Sequence, residues 1–275
     1  MSIPDPSAFR KALQTGIPQL GVNFMYPSPG VIERIGGDWD WIWIDGQHGQ
    51  HSYESVLACV RACNLVGKPA FPRVPSHEAG AIGLVLDMGA AGVIVPVVNS
   101  AEEARLLVRA AKFPPLGQRS YGGRRPIDLW GRAYSDTAND DTLLIVQIES
   151  PEAVEDAERI AAIPGVDGLF LGPDDVLLRR GHSPLVPRTR EILGADMEAV
   201  AKACRNQGKV PVCVGMGREQ FRLCLELGYR MIVAGGDVPF LANTSKTTSQ
   251  EVRAILKDGA ASPAPGTQER PASPY

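Results

Sequence analysis

The chain has 275 residues, of which 44% are hydrophobic and 21% charged, and this composition is typical of a globular protein large enough for one α/β barrel. A formal net charge of -3, with basic residues scattered along the chain, argues against nucleic-acid and anionic-membrane partners. No apolar run approaches the ~18 residues that span a bilayer, and residues 1–10 lack the pattern of a signal peptide. The five cysteines lie in apolar periodic stretches, as in proteins of a reducing compartment, so we expect a cytoplasmic protein.

Short apolar, β-rich runs alternate with helical patterns along the chain, which is typical of βα units around a parallel sheet. Their near-continuous apolar character suits strands that are buried on both faces. The fold class is therefore predicted to be α/β, as a (β/α)8 TIM barrel over residues 1–258. Residues 259–275 are rich in Pro, Ala, Ser and Gly, and we predict a disordered C-terminal tail there. The eight predicted strands are 20–24, 41–45, 69–73, 92–97, 143–149, 168–171, 210–214 and 231–234.

The stretch 114–141 is too long for a simple connection between elements. Its pattern predicts a short helix near 127–134, and we consider it a candidate active-site flap. Trp130 in this stretch either lines a pocket for a second substrate or packs on its own barrel.

Polar residues, most of them ionisable, lie at the end of several predicted strands or directly after them. In such a barrel the chemistry lies at the carboxyl ends of the strands, so these side chains are expected to converge on one mouth. The set comprises Asp45, His48, Arg73, Gln147, Glu149, Asp174 and Asp175.

Two carboxylates of this set, Glu149 and Asp175, come from adjacent strands. They suit a hard octahedral cation such as Mg²⁺ or Mn²⁺ and leave room for water and a bidentate substrate. The sequence does not decide among Mg²⁺, Mn²⁺ and Co²⁺. A 2-keto acid offers such a pair of oxygens, and a metal there stabilises an enolate as a Lewis acid. Asp174 is kept off the metal, since it also reads as a helix N-cap.

The other polar groups at this mouth fit the same chemistry. Arg73 supplies a cation for the keto or enolate oxygen, unless it only pairs with a neighbouring carboxylate. His48, oriented by a carboxylate such as Asp45, is the natural proton shuttle, although a lone histidine is as often a surface-loop residue. Gln147 ends the fifth strand beside them. The turn of Gly172, Pro173 and Asp174 opens a helix whose N–H groups can receive the substrate carboxylate.

A competing aldolase chemistry would use a lysine Schiff base on a barrel strand, but none of the seven lysines ends a strand. Lys68 and Lys209 precede strands and so belong to the opposite end of the barrel. The other five, Lys112 among them, are interpreted as helix or surface residues.

Several spaced motifs resemble the HpcH/HpaI family of pyruvate-dependent class II hydroxyketoacid aldolases, which includes macrophomate synthase as a relative. The resemblance covers roughly residues 15–255. The motifs are WIWIDGQHG (41–49), PR (72–73), LDMGAAGVIVPV (86–97), GQR (117–119), QIE (147–149) and LGPDD (171–175).

The resemblance implies a barrel of the phosphoenolpyruvate/pyruvate type with Glu149 and Asp175 on a divalent metal, Arg73 on the pyruvyl oxygen and His48 as acid/base. Asp87 would support a histidine of a neighbouring subunit, although its place near a helix end also fits a purely structural role. The family implies a homo-oligomer, a hexamer or trimer of dimers, with the last helix swapped between barrels. One departure is Gln47, which stands where many members carry Glu, so the local charge differs.

Three functions remain open from the sequence. The first is an aldolase that joins a pyruvate enolate to an aldehyde or cleaves the product, and also decarboxylates oxaloacetate. The second is a decarboxylase or synthase similar to macrophomate synthase, and the third is a barrel that binds keto acids without catalysis. The acceptor aldehyde and the stereochemistry depend on pocket shape.

Overall fold

The computed structural model describes residue 5 and residues 7–260, and its eight parallel strands form one closed barrel in chain order. The predicted (β/α)8 fold is confirmed. Three predicted strands have the observed bounds, and the other five differ from them by one or two residues. The strands are β1 Gln19–Phe24, β2 Trp41–Asp45, β3 Ala70–Arg73, β4 Gly92–Val95, β5 Leu143–Ile148, β6 Gly168–Leu171, β7 Val210–Val214 and β8 Met231–Gly236.

The strands are buried on both faces because side chains alternate between the barrel interior and the surrounding helices. All five residues of β2 are buried. Trp41 and Trp43 belong to the interior cluster, together with Phe71 and Phe170. Their neighbours Ile42 and Ile44 pack outward against helices. Trp41 and Trp43, at every second position of β2, are thus core residues.

Helices return the chain after each of the first seven strands, so the carboxyl ends of the parallel strands meet at one mouth. The hydroxyls of Ser100 and Ser150 accept the N–H groups of Glu103 and Ala153, at 3.2 and 3.0 Å, and cap the beginnings of two helices. The helices are α1 Ala8–Gln14, α2 Pro29–Ile35, α3 Tyr53–Leu65, α4 Ala79–Asp87, α5 Ala101–Ala111, α6 Arg124–Trp130, α7 Ala138–Asp141, α8 Pro151–Glu155, α9 Ala157–Ala161, α10 Pro173–Arg179, α11 Arg190–Gln207, α12 Arg218–Glu226 and α13 Asp237–Ala260.

The long connection 114–141 contains α6, a 3-10 helix at Arg132–Asp136 and α7, which confirms the predicted short helix. The expectation of a flap over the mouth of its own barrel is wrong. The connection runs from α5 to β5, and a helix-to-strand connection lies at the amino ends of the strands. Trp130 accordingly lines a cavity of about 190 Å³ with Leu86 and Tyr134 at that end.

Lys112, interpreted from sequence as a helix or surface residue, is only 2% exposed. Its ammonium donates to the carboxylate of Asp167 at 2.9 Å and to the carbonyl oxygens of Asn139 and Thr142 at 2.9 and 2.6 Å. This buried cation lies at the end of α5, so it braces the amino ends of the strands and is remote from the mouth.

The chain divides into two compact units, one that contains all eight strands and ends at Asp237, and one that begins at Val238. The second unit contains all of α13 except its first residue, Asp237. This helix continues through Gly259 and Ala260, the first two residues of the predicted tail. The rest of that tail, 261–275, lies outside the described residues. Among the residues that the structure describes, no helix combines the length and apolarity needed to cross a bilayer.

Candidate active site

Arg73, the last residue of β3, lies at the centre of the barrel mouth and is 6% exposed. Its Nε and Nη2 donate to the two carboxylate oxygens of Asp45 at 2.9 and 2.5 Å, which is a bidentate pair. Its Nη1 donates to Oε1 of Gln147 at 3.2 Å and lies 4.0 Å from Oε1 of Glu149. The ring of Trp43 lies beneath the guanidinium, 4.8 Å from Cζ. These contacts from β2, from β5 and from the residue that follows β5 fix the guanidinium plane.

Asp45 ends β2 and is buried. Burial alone would raise the pKa of its carboxyl, but the hydrogen bonds and charge of Arg73 outweigh burial and hold that pKa below its usual value. Oδ1 of Asp45 also accepts the backbone N–H groups of Gln47 and His48, at 3.0 and 3.1 Å. The expectation that Asp45 orients the imidazole of His48 is therefore corrected: the carboxylate holds Arg73 and the backbone of the turn. The side chain of His48 itself is exposed at the mouth.

Glu149 follows β5 and is 3% exposed. Burial raises the pKa of its carboxyl, and the negative charge of Asp175 raises it further. The N–H of Val97, which donates to Oε2 at 2.7 Å, and the positive charges of Arg73 and His48 offset only part of this effect. Glu149 thus lies within the electrostatic reach of Asp175, Arg73 and His48. The structure brings these predicted residues together as the sequence suggested.

The backbone that holds Glu149 is itself strained. Val97, just after β4, has φ of +53°, a left-handed conformation that a β-branched residue rarely adopts. Its carbonyl oxygen accepts a hydrogen bond from Asn99 at 3.2 Å, and the amide of Asn99 in turn receives the hydroxyl of Ser150 at 2.7 Å. The loop after β4 is thereby tied to the end of β5. Sequence reasoning missed Val97 because its contribution is a backbone N–H, which no side-chain pattern reveals.

Gly172 precedes α10 and packs directly against Glu149. A Cβ at this position would lie 2.6 Å from Cγ of Glu149 and 2.7 Å from its Oε1, so only glycine allows the approach. Pro173, the first residue of α10, is buried, and Asp175 is partly buried. Asp174 is exposed and forms an ion pair with Arg188. Of the two aspartates, Asp175 is the one whose charge raises the pKa of Glu149, whereas Asp174 pairs with Arg188, in line with keeping Asp174 off the metal.

The donor set of this mouth fits a hard divalent cation. The negative charge of Asp175 raises the pKa of Glu149, and a cation between the two carboxylates would relieve this repulsion. Within the described part of the chain, no three His, Cys, Asp or Glu side chains come together as a metal cluster. Two protein carboxylates suit Mg²⁺, which keeps several coordination positions for water and substrate.

Asp87 is the one predicted site residue that lies apart. It ends α4 at the amino ends of the strands, and its Oδ1 accepts from Arg119 Nη2 at 2.6 Å. The structure does not bring it to the mouth of its own barrel. A role toward a neighbouring subunit stays a prediction.

Comparisons with known proteins agree with these features. Residues 30–244 match the family described as HpcH/HpaI aldolase/citrate lyase. A 4-hydroxy-2-oxo-heptane-1,7-dioate aldolase of Klebsiella pneumoniae is 36% identical over 242 residues, which are 86% of this chain and 90% of that protein. A hydroxypyruvate/pyruvate aldolase of Agrobacterium fabrum is 34% identical over 257 residues, 90% of this chain and 94% of that protein. The crystal structure of macrophomate synthase is similar with a TM-score of 0.80 at 26% identity, and the match covers 90% of each chain. The resemblance predicted from the motifs is confirmed.

Proposed function

The chain belongs to the HpcH/HpaI aldolase/citrate lyase family, and we propose that this aldolase uses a divalent metal to form or cleave 4-hydroxy-2-keto acids through the enolate of pyruvate. The observation that carries the proposal is Glu149. It is a buried carboxylate at the strand ends, and one of its oxygens accepts the Val97 N–H. It lies 4.0 Å from the guanidinium of Arg73, and the charges of both Arg73 and Asp175 shift its pKa. A carboxylate that is costly to bury and held in one orientation is what a metal ligand requires.

Glu149 and Asp175 would hold the metal, with Mg²⁺, Mn²⁺ and Co²⁺ as candidates. When bound, such a cation supplies Lewis-acid stabilisation of the negative charge that develops on the keto oxygen. The carboxylate of the keto acid would lie against the turn of Gly172, Pro173 and Asp174, where the first turn of α10 leaves backbone N–H groups without helical partners.

Arg73 binds the keto oxygen and stabilises the enolate charge as a fixed cation. Asp45, Gln147 and Trp43 act as positioning residues, because they hold the guanidinium and do not themselves reach the reacting atoms. His48, exposed at the mouth, accepts the proton of the C4 hydroxyl during cleavage and returns it during addition. The same enolate arises when oxaloacetate loses CO₂, so decarboxylation is an expected side reaction.

The partners of this site are therefore a small 2-keto acid, pyruvate or oxaloacetate, and an aldehyde. We place the enzyme in the cytoplasm as a homo-oligomer as part of the same proposal. Five free, buried cysteines support a reducing compartment.

Release of pyruvate from a panel of 4-hydroxy-2-keto acids, with oxaloacetate alongside, tests the proposal. We expect aldol cleavage with several hydroxyketo acids and slower loss of CO₂ from oxaloacetate. Decarboxylation without any aldol cleavage would favour the decarboxylase or synthase function. Pyruvate binding without turnover of any compound would show a binding protein.

A further inference from the structure

One amide group, the peptide unit between Pro96 and Val97, is hydrogen-bonded at both of its edges. The N–H of Val97 donates to Oε2 of Glu149 at 2.7 Å. The carbonyl oxygen of Pro96 lies 2.6 Å from Nε2 of His77. Because a carbonyl oxygen can only accept, Nε2 of His77 is the donor. A single amide therefore connects His77 with Glu149.

This amide joins the ends of three consecutive strands. His77 lies between β3 and α4, Val97 follows β4, and Glu149 follows β5. The C=O and the N–H of a trans peptide point to opposite sides, so His77 and Glu149 hold one peptide plane from its two edges. An amide that accepts a hydrogen bond at its oxygen is also polarised, which makes its N–H a better donor.

The orientation of this peptide plane is not the one that the backbone favours. Val97 has φ of +53°, and a half turn of the plane would bring this angle into the common negative range. The same half turn would break the hydrogen bonds to His77 and to Glu149. Backbone strain at Val97 thus favours the turned state, and the two hydrogen bonds oppose it.

We propose that His77 is a positioning residue, which holds the Val97 N–H on Glu149 and thereby raises the affinity of the barrel mouth for a divalent metal. The inference rests on the proposed function, in which Glu149 is a metal ligand. His77 acts only through the amide between them. Its side chain is exposed, so it can be replaced without opening a cavity in the core.

His77→Ala removes the donor to the Pro96 oxygen. The peptide plane can then turn, and the Glu149 carboxylate loses the Val97 N–H. Removal of a group that orients a metal ligand lowers metal affinity by roughly 10–100-fold, and we expect about tenfold for this indirect contact. His77→Gln retains a side-chain N–H donor of similar reach and should keep most of the affinity.

The test measures the Mn²⁺ dissociation constant by calorimetry, together with hydrogen–deuterium exchange of the Val97 amide and the melting temperature of the metal-free protein. His77→Ala should weaken Mn²⁺ binding and speed exchange at Val97. Its melting temperature should stay that of wild type, since relief of the strain at Val97 offsets the lost hydrogen bond. His182→Ala is the matched control, because His182 is also exposed and its imidazole makes no hydrogen bond within the described part of the chain.

The proposal is overturned if His77→Ala keeps both the Mn²⁺ affinity and the slow exchange at Val97, or if His77→Gln loses as much affinity as His77→Ala. A lower melting temperature of His77→Ala, with faster exchange throughout the protein, would also overturn it, because the histidine would then support the fold in general. Wild type that binds Mn²⁺ no more tightly than Glu149→Ala would remove the proposed metal function. Binding through Glu149 that is equal in wild type and His77→Ala removes this inference alone.

Discussion

Arg73 shows how neighbouring side chains make one residue into a fixed reagent. An isolated arginine has about 2 kcal/mol of rotamer entropy to lose on ordering. Here Asp45, Gln147 and Trp43 hold the guanidinium before substrate arrives. The charge that meets a developing enolate is therefore in place in advance, which is how preorganised electrostatics lowers a barrier.

His48 is expected to separate the two reactions of this site. Retro-aldol cleavage must remove the proton of the C4 hydroxyl, whereas decarboxylation of oxaloacetate forms its enolate by losing CO₂. His48→Ala should therefore slow aldol cleavage by ~10²–10⁴-fold and decarboxylation much less. Rates with both substrates on one preparation measure the difference. Equal losses in the two rates, with metal affinity unchanged, would mean that the histidine has a structural or positioning role and that another group moves the proton of the C4 hydroxyl.

Glu149 should lower the free energy of unfolding of the metal-free protein at neutral pH. Its pKa is raised above the usual 4.5, so the folded state holds the proton more tightly than the unfolded chain. The unfolding free energy contributed by this group is therefore highest below the ordinary pKa and falls as the pH rises through the interval up to the raised value.

Glu149→Gln keeps the shape of the side chain and removes its charge. It should stabilise the metal-free protein at neutral pH by about 1 kcal/mol, as stabilising substitutions at functional sites commonly do. The variant should also lose Mn²⁺ binding and activity. Melting temperatures with and without Mn²⁺, between pH 5 and 8, measure both effects. A variant less stable than wild type without metal at neutral pH would show that this carboxylate is structural.

Much of this site is visible in the sequence because a polar residue that ends an apolar run is expected at a strand end. That rule identified Arg73, Gln147 and Glu149 correctly in position. It could not reveal partners, because Asp45 is 3 residues from His48 in sequence but 28 from Arg73. The pairing of Asp45 with Arg73 depends on the register between β2 and β3, in which the two residues lie opposite each other.

At the scale of elements, the loop after β4 and the turn before α10 enclose Glu149 from two sides. The loop donates the Val97 N–H, and Gly172 closes the other side without a side chain. The strain at Val97 is retained because the neighbouring hydrogen bonds determine that loop.

Gly172→Ala tests this packing. A Cβ within 2.7 Å of the Glu149 carboxylate must displace that carboxylate. A displacement of about 1 Å in a catalytic group can lower the rate ~10²-fold. We expect kcat/KM for aldol cleavage to fall by about that factor, with an unchanged circular dichroism spectrum. Gly30→Ala in α2 is the control, because a Cβ there meets nothing within 4 Å, and it should keep full activity. Full activity of Gly172→Ala would mean that the Glu149 position is not critical.

The connection 114–141 shows where sequence patterns reach their limit at this scale. Its length and helical segment were evident, but length alone does not tell which end of the barrel a connection crosses. Counting elements in the structure decides this, since a segment between a helix and the next strand lies opposite the mouth. Lys112 illustrates the same limit, because its burial depends on Asp167, 55 residues away.

At the scale of the whole molecule, α13 carries apolar side chains that the single chain leaves exposed. Leu241, Val252, Ile255 and Leu256 are each more than half exposed, and their spacing puts them on one helical face. Such a face in a long helix usually packs against another chain. It supports the proposed homo-oligomer.

Truncation after Thr244 removes three of these four residues and should lower the mass measured by light scattering. The full chain should have a multiple of its 29.5 kDa subunit mass. A chain that ends at Ala260 is the control, since it retains α13 and should assemble like the full chain. A monomeric full chain would contradict assembly through this helix.

The central claim is that this barrel makes its enolate with a metal held by Glu149 and Asp175, and the most direct measurement is pyruvate release from a 4-hydroxy-2-keto acid before and after metal removal. Protein dialysed against EDTA should release no pyruvate, and Mg²⁺ or Mn²⁺ should restore the rate in wild type but not in Glu149→Ala. Borohydride added with pyruvate should leave the enzyme active. Full activity without metal, together with a lysine modified by pyruvate and borohydride, would contradict the account and indicate a Schiff-base aldolase.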